Sequence, residues 1–477
     1  MLSPSVRDEL VRIAGPRFVL DRPEDLRLYE YDGGVDKARP DVVVLPATGE
    51  QVGAIVKLAA RNGLPLVGRG AGTGLSGGSI PRLGGILVGF SRMNRILEID
   101  YANERAVVEP GVVNLDLTNA VQDGGYFFAP DPSSQRSCTI GGNVAENAGG
   151  PHTLVYGVTT NHVLGLEVVL ADGATVRTGA AWPDTPGYDL TGLLTGSEGT
   201  MALVTKVIVR LTRRPEAVKT ALAIYDTVDD CAATVSEITA RGMTPAALEM
   251  LDGTLLRMVE EATHAGYPLD AAGVLLIEME GLREMVEEQV EKVRQACLAC
   301  RAREFRLART EEERALLWKG RKNAFGAIGR VSPFFYTQDG VVPRTQIAPT
   351  LREIGAVSRR RELTIGNIFH AGDGNMHPVI LFDARRQGDL ERAQMAGFDI
   401  LDYCISVGGS ITGEHGIGME KMELIGRQYS DESLELMRRI KQMFDPLCLL
   451  NPGKMLPTGR GCAEIRQPPL VNPSQML

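Results

Sequence analysis

The chain has 477 residues, 44% of them hydrophobic and 23% charged, with a formal net charge of -9. That length calls for more than one folding unit, about three by ordinary domain size or two large ones that share the chain ends. The composition excludes a disordered chain, the acidic balance gives nucleic acid no electrostatic footprint, and no run approaches the roughly twenty apolar residues of a membrane span.

The first residues, Met1 to Asp8, lack a basic start followed by an apolar run, so no secretory signal is expected. A cytoplasmic location follows, with reduced thiols, and the seven cysteines scattered from Cys138 to Cys462 fit it. The segment 1–37 reads as a helix at 5–13 and a connector. From Pro40 the pattern becomes a strand at 42–45, an amphipathic helix at 50–61 and the apolar lead-in Leu64 to Val67. Then comes the run Arg69, Gly70, Ala71, Gly72, Thr73, Gly74, Leu75, Ser76, Gly77, Gly78. Glycine lets successive N–H groups turn into one concavity, which suits an anion such as a pyrophosphate. Gly72 to Gly77 matches G-x-G-x-x-G, yet a Rossmann site must open a helix. Here Ser79 to Gly85 is loop followed by a strand at 86–90, and no Gly-Lys-Ser/Thr ending makes a P-loop.

Strands at 95–99 and 106–109 and a helix at 114–122 follow. A second small-residue stretch runs through Pro130, Asp131, Pro132, Ser133 and Ser134 to Gly141, Gly142, Asn143, Ala145, Asn147 and Gly149. So bare a backbone can lie flat against a planar group, with Asn143 and Asn147 offering amide donors and acceptors. A third cluster, with Glu198 and Gly199, precedes a strand at 202–209 that contains Val204. A fourth contains Asn451. Four such segments suit one extended ligand, a flavin dinucleotide, better than a mononucleotide. The region through Arg210 reads as an α+β domain.

Beyond it, strands at 221–225, 273–280 and 304–308 alternate with helices at 232–239, 282–300 and 311–328, a second layered domain. In the helix at 282–300, Val286, Val290, Val293, Cys297 and Cys300 fall on one apolar stripe, so the Cys-Leu-Ala-Cys pair is expected in a core. With no second pair, an iron–sulfur cluster within the chain is not expected. Asp373-Gly374-Asn375 is a turn whose hairpin would bring His370 and His377 close enough to share an ion. Neighbours in extended backbone face opposite sides, so of Glu414 and His415 one can serve a metal and the other a substrate. Two imidazoles and a carboxylate suit zinc, iron or manganese; a purely structural histidine pair is the competing reading at this point. A helix at 430–443 leads to the Asn451 cluster, so the tail is expected to return to the first domain.

The four cofactor segments resemble the FAD domain of vanillyl-alcohol oxidase and p-cresol methylhydroxylase type flavoproteins. Some of these tether FAD through a histidine in the glycine loop; none stands between Arg69 and Gly78, so noncovalent FAD is expected. From Trp318 onward, the segments 318–325, 339–344, 369–378, 408–418 and 450–454 resemble the flavoprotein D subunit of bacterial glycolate oxidases. More distantly they resemble D-lactate and D-2-hydroxyglutarate dehydrogenases, the wider FAD-linked D-2-hydroxy-acid dehydrogenase family. The likeness spans about residues 31 to 454.

It implies an α+β, two-domain FAD-binding flavoprotein with an α+β substrate cap domain. Its parts would be an N-terminal helical segment (1–37), the FAD-binding domain (38–214), the cap (215–425) and a C-terminal helical segment (426–477) returning to the FAD domain. It implies oxidation of a small 2-hydroxy acid, glycolate to glyoxylate, with D-lactate as the alternative substrate and a noncatalytic flavin-binding subunit as the reading from another class. Arg321 would grip the substrate carboxylate, with Asn375 also on the substrate; His370, His377 and Glu414 would hold the metal, and His415 would be the base. The segments named above, with Val204 and Asn451, would hold FAD. Partners would be a second flavin-type subunit and an iron–sulfur subunit, through which the chain would reach the inner face of the membrane. Two departures stand out. Phe325 and Thr337 replace the threonine and lysine of the 2-hydroxyglutarate enzymes, removing a clamp for a second carboxylate, and Ala202 stands where relatives have glycine.

Overall fold

The computed structural model describes residues 2–182 and 186–457; Cys462 and the end of the segment 426–477 lie outside them. Strands before residue 214 and strands after it build different sheets. In the first group, helix α1 (Pro4–Ala14) is capped by Ser3 and buries Val6 and Leu10 against α2 (Gly49–Asn62). Strands β1 (Val19–Leu20), β2 (Val42–Val44), β3 (Leu66–Arg69) and β4 (Ile86–Gly89) pair in the order β1-β2-β4-β3. Both β2 and β3 run parallel to β4. Strands paired this way are covered on both faces, which explains the unbroken apolar runs of β2 and β4.

A second sheet is antiparallel. It contains β5 (Ile96–Asp100), β6 (Arg105–Val108), β7 (Val163–Val169), β8 (Thr175–Gly179) and β9 (Leu203–Arg210), in the order β5-β6-β9-β7-β8. Along β9, buried and half-buried residues alternate, and Val207 and Val209 join a core with α3 (Asn114–Val121) and α4 (Ile140–Glu146). The small-residue stretch is therefore partly helical rather than flat. Thr139 Oγ1 caps α4 by accepting from the Gly142 N–H, and Asn147, at φ 53°, ends it in the left-handed conformation that asparagine tolerates.

The second group alternates strands and helices, with β11 and α6 in addition to the elements expected: β10 (Ala217–Tyr225), α5 (Val228–Ala240), β11 (Ala247–Asp252), α6 (Gly253–Thr263), β12 (Gly273–Gly281), α7 (Arg283–Ala299), β13 (Glu304–Leu307), α8 (Glu311–Lys322) and α9 (Ala324–Val331). Strands β14 (Phe334–Thr337), β15 (Gly340–Val341), β16 (Ile365–His370), β17 (Asn375–Met376) and β18 (Pro378–Phe382) follow, interrupted by α10 (Ile347–Arg361). The sheet order is β13-β10-β12-β11-β16-β17-β15, with β18 joining β14 to β16. Helices α5, α7 and α10 cover one face; α6 and α9 cover the other. The single helix expected at 311–328 is two, because Asn323 leaves helical geometry at φ -98°, ψ 11° and so separates α8 from α9.

Cys297 is buried on the α7 stripe with Val286 and Val293, while Cys300 is the half-buried residue that ends the helix. Cys138, Cys231 and Cys404 are also free. After α11 (Asp389–Ser406) and α12 (Asp431–Phe444), the chain returns to the edge of β3. Leu66 N–H donates to Leu449 O and Asn451 N–H to Leu66 O, both at 2.7 Å.

Candidate active site

Where β3 ends, the chain turns through the glycine run with Gly72 at φ 72°, and a Cβ there would stand 2.2 Å from Arg69 Nη2. Only glycine satisfies both the angle and the space. Arg69 is itself buried, and its hydrogen bond among the described residues is to Ser79 Oγ at 3.3 Å. Burial pulls its pKa below the ordinary arginine value. From behind, Lys454 Nζ donates to the carbonyls of Gly77 at 2.8 Å, Gly78 at 3.0 Å and Ile80 at 2.7 Å, which fixes the loop from the C-terminal segment.

The loop opens on a cavity of about 430 Å³, a size typical of cofactor sites. Its wall takes in Arg69, Gly70, Ala71, Gly72, Thr73, Gly74 and Leu75, then Ser134, then Gly141, Gly142, Asn143 and Ala145 of α4, then Glu198, Gly199 and Val204. The wall also takes in Arg321, Lys322, Phe325, Phe335, His377, Glu414 and His415. A Cβ on Gly199 would meet no protein atom within 4 Å. A long space walled by backbone at one end, with a buried guanidinium lacking a hydrogen-bonded carboxylate, fits a flavin dinucleotide.

Six expected cofactor contacts lie off this wall. The Ser76 carbonyl accepts from the N–H groups of Met419 and Glu420. Pro130 O accepts from Asn114 Nδ2 at 2.9 Å, and Asp131 Oδ2 binds His152 Nδ1 at 2.7 Å. Asn147 Oδ1 accepts from the Thr160 N–H at 2.8 Å, and a Cβ on Gly149 would approach Glu414 Oε2 to 3.1 Å. Asn451 Nδ2 donates to Gly78 O at 2.8 Å and Glu198 O at 2.7 Å, so it ties two cofactor segments together from outside the cavity. Asn375 also lies off the wall, buried beside Gly413, with Oδ1 unpaired.

The hairpin pairs His370 with Asn375 in register and sets the His370 and His377 rings 5.1 Å apart. Glu414 Oε1 lies 3.3 Å from His370 Nε2 and 3.1 Å from His377 Nε2. The ligand atoms of the three residues fall within 4.8 Å of one another. Each imidazole's other nitrogen is occupied: His370 Nδ1 faces Glu249 Oε1 at 2.8 Å and His377 Nδ1 faces Gln338 O at 3.2 Å. Such bonds fix the tautomer that leaves both Nε2 atoms free for an ion. The set therefore fits a divalent metal. Asp339, His377 and His415 form a second possible group, but the Asp339 oxygens are already engaged.

Asp339, fully buried, accepts from the N–H groups of Gly413 at 3.1 Å, Glu414 at 3.2 Å and His415 at 2.9 Å, and from Lys421 Nζ at 3.2 Å. One carboxylate thus shapes the loop that carries both Glu414 and His415. The positive charge of Lys421 holds Asp339 well below the usual carboxylate range despite its burial. The His415 ring stacks on His377, centroids 4.9 Å apart, and its Nδ1 has no partner. Burial pushes it down to about 4, so the imidazole is neutral at pH 7.

Arg321 arrives on α8. Residues 314, 318 and 321 share one helix face, and each meets a buried glutamate of the sheet. Glu278 accepts from Arg314 Nε at 3.0 Å and Trp318 Nε1 at 2.7 Å; Glu249 Oε2 accepts from Arg321 Nε at 2.6 Å. In the register, Glu249 opposes Leu276 and Glu278 opposes Ala247, so both carboxylates stand on the face that Trp318 packs against. Sequence reasoning missed Glu249, Glu278 and Asp339 as supports. The available signal was a lone acidic residue inside an apolar strand, Ala-Leu-Glu-Met-Leu and Leu-Leu-Ile-Glu-Met, since a buried carboxylate must have partners.

Residues 40–179 match the family described as FAD binding domain, and residues 214–455 match FAD linked oxidases, C-terminal domain. The chain belongs to the FAD-linked oxidases. Within that family it is 46% identical to glycolate oxidase subunit GlcD of Escherichia coli (strain K12), over 94% of this chain and 90% of that protein. It is 41% identical to glycolate oxidase subunit GlcD of Bacillus subtilis (strain 168), over 95% and 97%. With D-lactate dehydrogenase of Anaerostipes hadrus the identity is 32%, over 88% and 90%. Among solved structures, p-cresol methylhydroxylase with substrate bound superposes with a TM-score of 0.80 at 19% identity, over 94% of this chain and 96% of that one. The 4-ethylphenol oxidase from Gulosibacter chungangensis gives 0.77 at 22%, over 95% and 96%. This FAD-linked oxidase thus has the two-domain fold of those flavoproteins.

Proposed function

We propose that this chain is the catalytic flavoprotein subunit of a glycolate oxidase, oxidising glycolate to glyoxylate. The observation that carries the reading is the shared cavity: Arg321, His415 and the Glu414 carboxylate face the same space as the glycine run. The identity to two glycolate oxidase subunits exceeds that to the D-lactate dehydrogenase. FAD, when bound, supplies the acceptor for the C2 hydride, and a divalent ion supplies a Lewis acid for the C2 hydroxyl. The residues that would hold FAD are the wall segments from Arg69 to Val204; His370, His377 and Glu414 would hold the ion.

The protein's own part follows from its side chains. Arg321, with Nε committed to Glu249, keeps its two terminal nitrogens for a bidentate grip on the substrate carboxylate. His415, neutral and with an unpaired ring nitrogen, accepts the hydroxyl proton. Phe325 and Phe335, stacked 5.8 Å apart, line the cavity beside Arg321 and Lys322. We further read residues 38–214 as the FAD-binding domain, 215–425 as the cap, and 1–37 and 426–477 as flanking segments on the former.

Anaerobic mixing with glycolate, D-lactate, L-lactate and D-2-hydroxyglutarate tests the assignment through bleaching of the flavin. Glycolate is expected to reduce it fastest. A D-lactate rate above that of glycolate would move the chain to the D-lactate dehydrogenases, and reduction by L-lactate alone would overturn the reading altogether.

A further inference from the structure

His152, met above beside Asp131, also reaches the helix of Arg321 from the FAD-binding half. Its Nδ1 lies 2.7 Å from Asp131 Oδ2 and its Nε2 lies 3.3 Å from Glu278 Oε1. Both ring nitrogens face carboxylate oxygens, which accept and cannot donate, so both must carry hydrogen. The ring also stacks on Trp318, centroids 5.6 Å apart and planes at 28°. Asp131 adjoins Pro132, Ser133 and Ser134 on the cavity wall. Glu278 is the carboxylate that holds Arg314 and Trp318, two turns and one turn before Arg321 on the same face of α8. A continuous chain of contacts therefore runs from the cofactor wall, through the ring, to the helix that presents the substrate's expected anchor.

We propose that His152 is a positioning residue: its imidazolium, clamped between Asp131 and Glu278, fixes the seat of α8 and thereby the reach of Arg321 into the cavity. The proposal rests on the carboxylate-binding role given to Arg321. Without the ring's positive charge, two carboxylates from opposite halves would face each other across the vacated space, and Glu278 would keep only its partners on its own side, Thr220, Arg314 and Trp318. The other charged or titratable groups around the ring are Glu280 on β12, Tyr156, whose hydroxyl donates to Glu280, and Arg314 on α8. The two flanking carboxylates prevail over desolvation and hold the His152 pKa well above the ordinary histidine value. The sign follows: a raised pKa means the clamp is complete at and below about pH 6.5, the ordinary histidine value, and is lost as pH rises through the folded value.

The test uses the FAD-loaded protein and oxalate, an unreactive dicarboxylate whose binding is read from the flavin absorbance without turnover. His152→Gln removes the charge and is expected to weaken oxalate about tenfold or more, and to raise KM for glycolate similarly, the scale of a small displacement of a positioning group. FAD content should stay at the wild-type level. Wild-type oxalate affinity should also fall on the alkaline side, and that limb should be missing from His152→Gln. Unchanged oxalate affinity, or loss of FAD in step with loss of oxalate, would overturn the proposal. If His152→Gln does not fold, Asp131→Asn decides from the other side of the ring: it should weaken oxalate in the same direction, and wild-type affinity would defeat the idea. Failure of glycolate to reduce the wild-type flavin would count against the proposed function alone, because oxalate titration of the same protein still reports on His152.

Discussion

The grip proposed for Arg321 on a substrate carboxylate would depend on the shape of a guanidinium more than on its charge. Nε donates to Glu249 and the remaining fork is aimed at the cavity, so a lysine would supply charge without the bidentate geometry. Arg321→Lys is therefore expected to keep FAD and lower kcat/KM by at least about a hundredfold, a loss of roughly 3 kcal/mol in transition-state binding; unchanged kcat/KM would remove Arg321 from the substrate. His415→Asn should bind oxalate and metal normally yet reduce flavin about a hundredfold more slowly, the usual scale of general-base loss. Stopped-flow bleaching checks it, and near wild-type rates would place the base elsewhere. Both residues were legible as motif members. Glu249 was not, because a single glutamate in a strand reads as solvent-facing until the register shows it under α8, between Arg321 and His370.

At the scale of elements, a hairpin and a loop meet, and each was legible for a different reason. The hairpin was readable because Asp373-Gly374-Asn375 is turn chemistry between apolar runs; the structure has Gly374 at φ 78° there. The loop from Thr412 to Gly416 was readable only as glycine-flanked polar residues, since its shape comes from Asp339, more than seventy residues earlier in the chain. Asp339→Asn keeps one acceptor oxygen but turns an amide donor toward backbone N–H groups and leaves the fully buried Lys421 without its closest counter-charge. Breaking a buried pair in this way costs about 3–5 kcal/mol, so urea unfolding should show a loss of that order, with metal content falling as the loop that carries Glu414 slackens. His377→Ala is the sharper cut: elemental analysis should find the metal gone and turnover abolished while FAD, seated on the other half, stays. Full activity in protein verified as metal-free would defeat the metal assignment. The break at Asn323, by contrast, was invisible in the pattern, because Ala324 to Val331 continues an apolar stripe that α9 buries against α6.

At the scale of the whole molecule, the open question is where two electrons go after the flavin has taken them. The cavity joins the two halves of the chain, with Arg321, His377, Glu414 and His415 on its wall. Those groups suit a small anionic substrate and provide no relay of their own. Of the five free cysteines, Cys231, Cys297 and Cys300 lie around α5 and α7, Cys404 on α11 and Cys138 beside α4. Among the described residues, no group of three or more potential ligands includes a cysteine, and no helix is long and apolar enough to cross a membrane. The two relatives of highest identity quoted above are named as subunits, so the expectation is that electrons leave to a companion protein with its own redox centre, an iron–sulfur subunit beside a second flavin-type subunit. The purified chain with glycolate should then reduce a small diffusible dye such as dichlorophenolindophenol, which can approach the flavin, and reduce a membrane quinone analogue at least about a hundredfold more slowly. Restoring quinone reduction should require a cysteine-rich partner that co-purifies with the chain from its own cells. Rapid quinone reduction by the chain alone would show a self-sufficient dehydrogenase instead, and would shift the functional reading toward the D-lactate enzymes even if glycolate bleached the flavin.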